Sequence, residues 1–391
     1  METRDVVVVG GGPAGLVAAL AIAARGTTVT LARKRAPADT RTTALLSGSM
    51  DLLDRLGVTP ALEAETAPLA TMRIVDDTGG LFRAPTVTFE ASELGLEMFG
   101  RNVRNEALVA VLERAVMAEP AIATQEAWLT GARIEDDHVA LAFDDGSALD
   151  ARLVVAADGR ESRLREAAGI ATTTRAYDQV AVTLNLAHTV AHRNTSTEFH
   201  TRSGPFTLVP LPGQMSSLVA VVTPHEAKRL VALDDAELGR EVERRSRSIL
   251  GKTTPVGARG AWPLSSLVPE RHGARRVVLV GESGHVIPPI GAQGLNLGFR
   301  DAETIADLVA EAMVDGADVG SERVTGAYDR RRRADVRSRA TLVDLVNRSL
   351  LSELLPLHAL RAAGLTVAGL PGPLRRMIMR EGLSPSLFGR A

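Results

Sequence analysis

The stretch Asp5-Val6-Val7-Val8-Val9-Gly10-Gly11-Gly12-Pro13-Ala14-Gly15, with the Ala- and Leu-rich run that follows it to Arg25, decides the fold. Four consecutive valines without alternation are the pattern of a parallel strand buried on both faces. Gly10, Gly12 and Gly15 then stand at GxGxxG spacing where the strand must turn into a helix. There Gly10 permits the tight turn, Gly12 lets a pyrophosphate approach the backbone, and Gly15 lets the helix lie close to the strand. Pro13 and Ala14 open the helix, whose unpaired N–H groups and positive dipole end would face the phosphates. Gly26 stops that helix, and Thr27 to Leu31 reads as a second strand. A glycine-rich turn without a ligand is the alternative reading of the motif on its own.

One position departs from the fingerprint. An acid is expected at the end of the second strand, where it would bind a ribose hydroxyl. Ala32 stands there, followed by Arg33, Lys34 and Arg35. Alone, that basic run favours a 2′-phosphate and hence NADP, or is a solvated loop.

Further along, Thr43 to Leu56 reads as an amphipathic helix, Met72 to Phe99 as short strands, and Glu106 to Val116 as a helix. Ala127 to Leu149 reads as a β-meander turning at Asp144-Asp145-Gly146, and Leu153 to Ala157 as another buried strand. Ala181 to Val222 is strand-rich, a polar helix covers roughly 234–250, Val277 to Val280 is a strand, and long helices start near Ala292 and Glu322. Nucleotide-type elements therefore lie at the start, middle and end of the chain, with strand-rich segments between them. The expected class is α/β: a doubly wound, Rossmann-like domain, an inserted antiparallel β-rich domain and a helical C-terminal region. The boundaries are 1–70, 100–176 and 265–345 for the first, 71–99 and 177–264 for the second, and 346–391 for the third.

Composition narrows the chemistry. With 45% hydrophobic and 24% charged residues the chain is globular, and a net charge of −2 offers nothing to nucleic acid. There is no cysteine, which removes disulfides, thiolate metal sites and thiol nucleophiles. His188, His192 and His200 lack metal-ligand spacing, so no metal site is expected and packing or surface roles are. Val6 to Ala24 is uncharged, but its glycines and Pro13 break it, and Glu2 and Asp5 spoil a signal peptide. Arg330 to Arg333 reads as a solvated helix face, and Trp262-Pro263 as packing against a strand end.

Two later segments resolve the cofactor. Val154-Val155-Ala156-Ala157-Asp158-Gly159-Arg160 is a strand ending in Asp-Gly. Val278-Leu279-Val280-Gly281-Glu282-Ser283-Gly284-His285 ends in Gly-Glu and continues through Pro288-Pro289-Ile290-Gly291-Ala292-Gln293-Gly294-Leu295-Asn296-Leu297-Gly298 to Arg300-Asp301. With the N-terminal fingerprint, these segments resemble the group A FAD-dependent monooxygenases, in particular the UbiH/UbiF/VisC-type ubiquinone-biosynthesis hydroxylases. Arg41-Thr42-Thr43-Ala44-Leu45, Asn102 to Leu112 with Arg104, and Leu360 to Leu365 resemble that branch too, so nearly the whole chain is covered.

The resemblance implies FAD as resident cofactor and NADPH or NADH as transient reductant. Gly10, Gly12, Pro13, Ala14 and Gly15 would hold the pyrophosphate, with Arg41 and Arg104 nearby. Asp158-Gly159 would serve FAD and the reductant, and Glu282, one methylene longer than the usual Asp, the ribityl chain. Gly291, Gln293, Gly294, Leu295 and Asn296 would lie near the isoalloxazine, with His285 and Pro288 in the adjoining catalytic pocket. The implied reaction is hydroxylation of a polyprenylated phenol or quinol of ubiquinone biosynthesis by O2, through a flavin C4a-hydroperoxide. No nucleophile–base pair, paired carboxylates or metal cluster stands out, which fits chemistry carried by a cofactor. A lipophilic aromatic substrate and a cytoplasmic protein peripheral to the inner membrane face, or joined to a biosynthetic complex or as a homodimer, complete the expectation. The alternatives are a hydroxylase of a small soluble aromatic acid and a non-catalytic flavin-binding scaffold; no WxWxIP run points to a halogenase.

Overall fold

The computed structural model describes residues 3–34, 39–79, 84–351, 370 and 372–383. The chain begins with β1 (Arg4–Val9), α1 (Pro13–Ala23), β2 (Val29–Arg33), β3 (Thr42–Leu46), α2 (Ser47–Arg55) and α3 (Thr59–Leu62). There follow β4 (Thr66–Pro68), β5 (Thr71–Asp76), β6 (Val87–Glu90), β7 (Gly100–Arg104), α4 (Asn105–Ala118) and β8 (Ile122–Glu126). The middle holds β9 (Leu129–Ile134), β10 (Val139–Phe143), β11 (Ala148–Ala156), α5 (Arg163–Ala167), β12 (Thr172–His188), β13 (Thr195–Thr201), β14 (Gly204–Leu211) and β15 (Met215–Val222). The rest comprises α6 (Pro224–Ala232), α7 (Asp235–Arg245), β16 (Thr253–Pro269), β17 (Gly273–Ala274), β18 (Val277–Leu279), α8 (Gln293–Val314), α9 (Glu322–Leu351) and α10 (Pro373–Leu383).

The valine run explains the first sheet. β1 lies between β2 and β11, parallel to both, with Val8 opposite Leu31 and Val155. β18 extends the parallel set beyond β11, and β8 beyond β2. Val6 and Val8 point into a core shared with α1, α4 and α8, while Val7 and Val9 meet Leu141, Phe143 and Leu164 on the other face. Both faces are thus covered, one by helices and the other by the β9–β10 meander and α5. That is why β1 needs no polar residue at alternate positions.

The second sheet runs β16-β12-β15-β14-β13-β5-β6. One of its faces buries Val182, Leu186, Phe199, Phe206 and Leu208 under α6 and α7. A small sheet, β3-β7-β4, ties the two large ones together: Thr42 Oγ1 bonds Ser217 Oγ at 2.8 Å, and Asn102 Nδ2 donates to the Pro210 carbonyl at 2.9 Å.

Three sequence readings change. Thr43 to Leu56 is not one helix; its first residues pair with β7 as β3, and only Ser47–Arg55 is helical. The β-branched Thr42 and Thr43 suit a strand, and cross-strand pairing outweighs the helical spacing there. The polar helix near 234–250 is α7, preceded by α6, whose own N-cap is Thr223. Arg330 to Arg333 is not uniformly solvated, because Arg332 is 4% exposed and ion-paired. Of the helical C-terminal region, the run Leu360 to Leu365 lies outside the described residues, as does Arg35. Among the described residues no helix is long and apolar enough to cross a membrane.

His272 sets a stability signature. It is fully buried beside α9, and burial, with little offset from Asp301, pushes its imidazole down to about 3 from 6.5. The unfolded chain therefore takes up a proton near pH 6.5 that the folded chain refuses until about pH 3. Stability is complete above pH 6.5 and falls on acidification, by about 2 kcal/mol at about pH 5 from this group. Urea unfolding at stepped pH should show this slope, and His272→Leu should lower it by about one proton. An unchanged slope in the variant would refute the assignment.

Candidate functional site

Three glycines of the first turn do different work. A Cβ at Gly10, where φ is +131°, would lie 2.0 Å from the Ala157 carbonyl oxygen, and one at Gly15 would lie 2.2 Å from that of Gly10. These two permit close packing of strand and helix. A Cβ at Gly12 would meet nothing within 4 Å, because Gly12 faces a cavity. Ala14 sits where the N-terminal ends of α1 and α8 converge: a Cβ at Gly281 would come within 2.9 Å of its methyl, and one at Gly298 within 3.2 Å. Left-handed Ala292 (φ +53°) starts α8. Two helix N-termini thus open on one cavity of about 1420 Å³ between the large sheets.

The expected residues divide about this cavity. Gly12, Pro13, Ala14, Gly15, Arg41, Gly159, Glu282, Gly291, Gln293, Gly294, Leu295 and His285 line it. Gly10 lies behind the turn. Arg41 is held by Asp39 through two bonds of 2.8 Å and stacks 4.6 Å from the centre of the Trp262 ring. The Asp39 carboxylate raises the Arg41 guanidinium's pKa despite burial. Trp262 is therefore a wall residue of the cavity, inside β16, and not packing at a strand end.

The other expected residues sit elsewhere. Arg104 stands off the cavity, paired with Glu65 at 3.0 Å and Glu106 at 3.4 Å. Asp158 turns toward the first turn of α5 and accepts from the Leu164 N–H at 3.3 Å; burial pushes its pKa up. Pro288 is buried, while its neighbours Ile287 and Pro289 reach the cavity. Asn296 is 1% exposed and acts as a latch: its Oδ1 accepts from the Leu46 N–H at 2.9 Å and Ser49 Oγ at 2.6 Å, and its Nδ2 donates to Ala44 and Ala292 carbonyls.

His285 belongs to a buried network. Its Nε2 lies 2.7 Å from Asp301 Oδ2, which also accepts from the Gly281 N–H at 3.0 Å. Arg332 of α9 donates to the other oxygen of Asp301 at 2.5 Å and to Asp335 at 2.8 Å. Burial alone would raise the Asp301 pKa, but Arg332 and His285 hold it below the usual carboxylate range.

Several cavity residues escaped the sequence reading. Glu113 of α4 lines the cavity near Gly11 and pairs with Arg33, whose buried Nε has no partner among the described residues. On the sheet wall stand Ser196, Glu198, His200 and Thr207. The only sequence signal for these was strand alternation, which fixes a face but not what that face looks at.

These features fit a dinucleotide. Gly12 leaves room at a helix N-terminus, and Arg33 Nε and Gln293 Oε1 are buried without partners among the described residues. The volume exceeds that of an ordinary single-ligand pocket, leaving space for a second molecule. The family model described as "FAD binding domain" matches residues 3–341. The ubiquinone hydroxylase UbiL of Rhodospirillum rubrum is 32% identical, over 99% of this chain and 91% of its own length. The 3-demethoxyubiquinol 3-hydroxylase of Escherichia coli is 30% identical, over 98% of this chain and 99% of its own. Among solved structures, p-nitrophenol 4-monooxygenase PnpA of Pseudomonas putida superposes with a TM-score of 0.81, covering 100% of both chains at 21% identity, which speaks to the fold. The chain belongs to the FAD-dependent monooxygenases of group A, in the branch of the UbiH/UbiF-type ubiquinone hydroxylases.

Proposed function

We propose that this chain hydroxylates the ring of a lipophilic phenol or quinol in ubiquinone biosynthesis, with FAD bound and NADH or NADPH as reductant. The observation that carries the reading is that one continuous cavity joins two helix N-termini at one end to an apolar chamber of Met72, Ile74, Phe89, Phe99 and Val209 at the other. FAD, once reduced, supplies the activation of O2. The chain's residues do the rest. Gly11, Gly12 and the first N–H groups of α1 receive the pyrophosphate. Glu113 takes the ribose role left vacant by Ala32, and Arg33 holds its carboxylate in place. The backbone from Gly291 to Leu295 would offer donors to the ring system, and Glu282, also on the cavity wall, would hold the ribityl hydroxyls. Asp301 fixes the His285 ring, and the apolar chamber excludes water from the reacting carbon.

A small aromatic acid suits this chamber less well, because Glu198 on its wall would repel the acid's carboxylate and Arg41 is committed to Asp39.

The substrate end is walled by Ile378 and Met379 of α10. Arg375 anchors that helix to Glu93 at 2.6 and 2.7 Å and lies over the Phe89 ring. The guanidinium draws the Glu93 carboxyl down to about 2. On its outer side Leu374 and Met377 are exposed, next to the arginines Arg376 and Arg380. Apolar residues flanked by arginines suit contact with an anionic lipid surface, from which a polyprenyl chain would enter.

Three outcomes are expected. With 18O2, the product gains one labelled oxygen and NAD(P)H is consumed in step; label from water instead would refute the reaction. Gly12→Val should fold yet retain no FAD, while Glu113→Ala should weaken FAD binding by about ten- to a hundredfold, the worth of one charge-assisted hydrogen bond. Wild-type affinity in both variants, titrated by flavin fluorescence, would remove the site assignment. Leu374→Glu with Met377→Glu should cut co-sedimentation with phosphatidylglycerol vesicles by about tenfold or more without loss of FAD; unchanged sedimentation would rule out this face.

A further inference from the structure

The sheet wall of the cavity contains one carboxylate that the reading above leaves without a task. Strand alternation puts Ser196, Glu198 and His200 of β13 on the cavity face, while Phe199 turns into the core under α6 and α7. Pairing register places Glu198 between Ile74 of β5 and Thr207 of β14, and Thr207 next to Val219 of β15. A lone acid therefore sits in a row that is otherwise apolar or hydroxylic.

Its two oxygens are held from the side. Glu198 Oε1 lies 2.8 Å from His200 Nε2, and Oε2 accepts from Thr207 Oγ1 at 3.3 Å. His200 is itself buried and holds Glu198 through Nε2, while its Nδ1 has no partner among the described residues. Burial would favour the neutral acid, but the bonds from His200 and Thr207 hold the group below the usual carboxylate range. One fifth of the Glu198 side chain remains accessible, and the accessible part faces the cavity. An ionised carboxylate accepts about four hydrogen bonds, and two are filled here. An apolar chamber is an unfavourable place for the remaining capacity unless a ligand donor meets it.

We infer that Glu198, positioned by His200, accepts a hydrogen bond from a ring hydroxyl of the substrate. This rests on the hydroxylase reading and adds to it the group that recognises the ring. The O–H stays intact in the bound state, with its hydrogen shared toward the carboxylate. Electron density on the phenolic oxygen rises, and the ring carbons ortho and para to it become the more nucleophilic ones. The carbon that receives oxygen is therefore ortho or para to the hydroxyl held by Glu198. A ring with an ether in that place lacks the donor and meets an unpaired carboxylate, so it is rejected.

The test uses the FAD-loaded protein and two probes, 2-octylphenol and its methyl ether, 2-octylanisole, with binding read from flavin absorbance. Wild type should bind the phenol about ten- to a hundredfold more tightly, the worth of one hydrogen bond to a charged group. Glu198→Met should bring the ratio to about threefold or less, and Glu198→Gln, a neutral acceptor that keeps the shape, should fall between. If Glu198→Met does not fold, as FAD content would show, the Glu198→Gln ratio decides. A purely structural glutamate would weaken both probes equally and leave the ratio as in wild type, which would overturn the proposal. If wild type binds both probes alike, only this assignment falls. If it binds neither and no phenol stimulates NAD(P)H consumption, the hydroxylase reading falls first and this one with it.

Discussion

Asp301 carries no solvent exposure, yet Arg332 and His285 hold its carboxyl below the usual carboxylate range, and the geometry of the cofactor end depends on it. Its carboxylate gathers the Gly281 N–H after β18, the His285 ring and the Arg332 guanidinium. A loop, a helix and a second helix far along the chain are thereby fixed to one point. An ion buried this deeply is tolerated only when its lone pairs are filled, and removing one partner leaves the others uncompensated. The constraint reaches the cavity, because Gly281 and Gly298 flank Ala14 and set how closely α1 and α8 approach. The convergence of two helix N-termini on one space follows from that contact.

Much of this was legible in the residues. The valine run, the GxGxxG turn and the Gly281 to Asp301 segment each specify local backbone, and local backbone is what spacing encodes. The family resemblance supplied the cofactor and the reaction class. What stayed hidden were partnerships across long sequence separations. Arg332 looked like its solvated neighbours because Asp301 is thirty-one positions away and no periodicity links them. Asn296 was singled out for its backbone, and nothing in the spacing showed that its side-chain amide also closes α8 onto β3 and α2. Arg104 and Pro288 fall in motif-bearing stretches, but the turn of the backbone directs them away from the cavity. Glu113 and Glu198 lie on ordinary-looking helix and strand, and only the packing of one sheet against the other makes them face the same space.

The cavity divides by polarity in a way that follows from its two walls. The parallel sheet contributes strand ends, turns and helix starts, all of which expose backbone N–H groups. The antiparallel sheet contributes the middle of long strands, whose backbone groups are already paired and whose side chains alone decide the surface. One end therefore presents main-chain N–H groups beside the side chains of Glu113 and Glu282, while at the other end side chains alone set the surface. Arg41 and Trp262 stand where the walls meet, stacked on each other, so the boundary has contributions from both.

The order of strands in the parallel sheet also bears on how the chain can be made. β1 is synthesised well before the strands it is joined to: its neighbour β11 emerges about 150 residues later, and β18, beyond β11, about 270 residues later. Such pairings have high contact order, and loop closure must be met before they reward the chain. Until β11 arrives, one edge of a four-valine strand has no partner on a growing polypeptide. An uncovered apolar edge of that kind is a template for pairing with other chains. Translation thus passes through an interval of about 140 residues in which β1 has been made and its β11 partner has not, and for that time the valine edge is open to other chains.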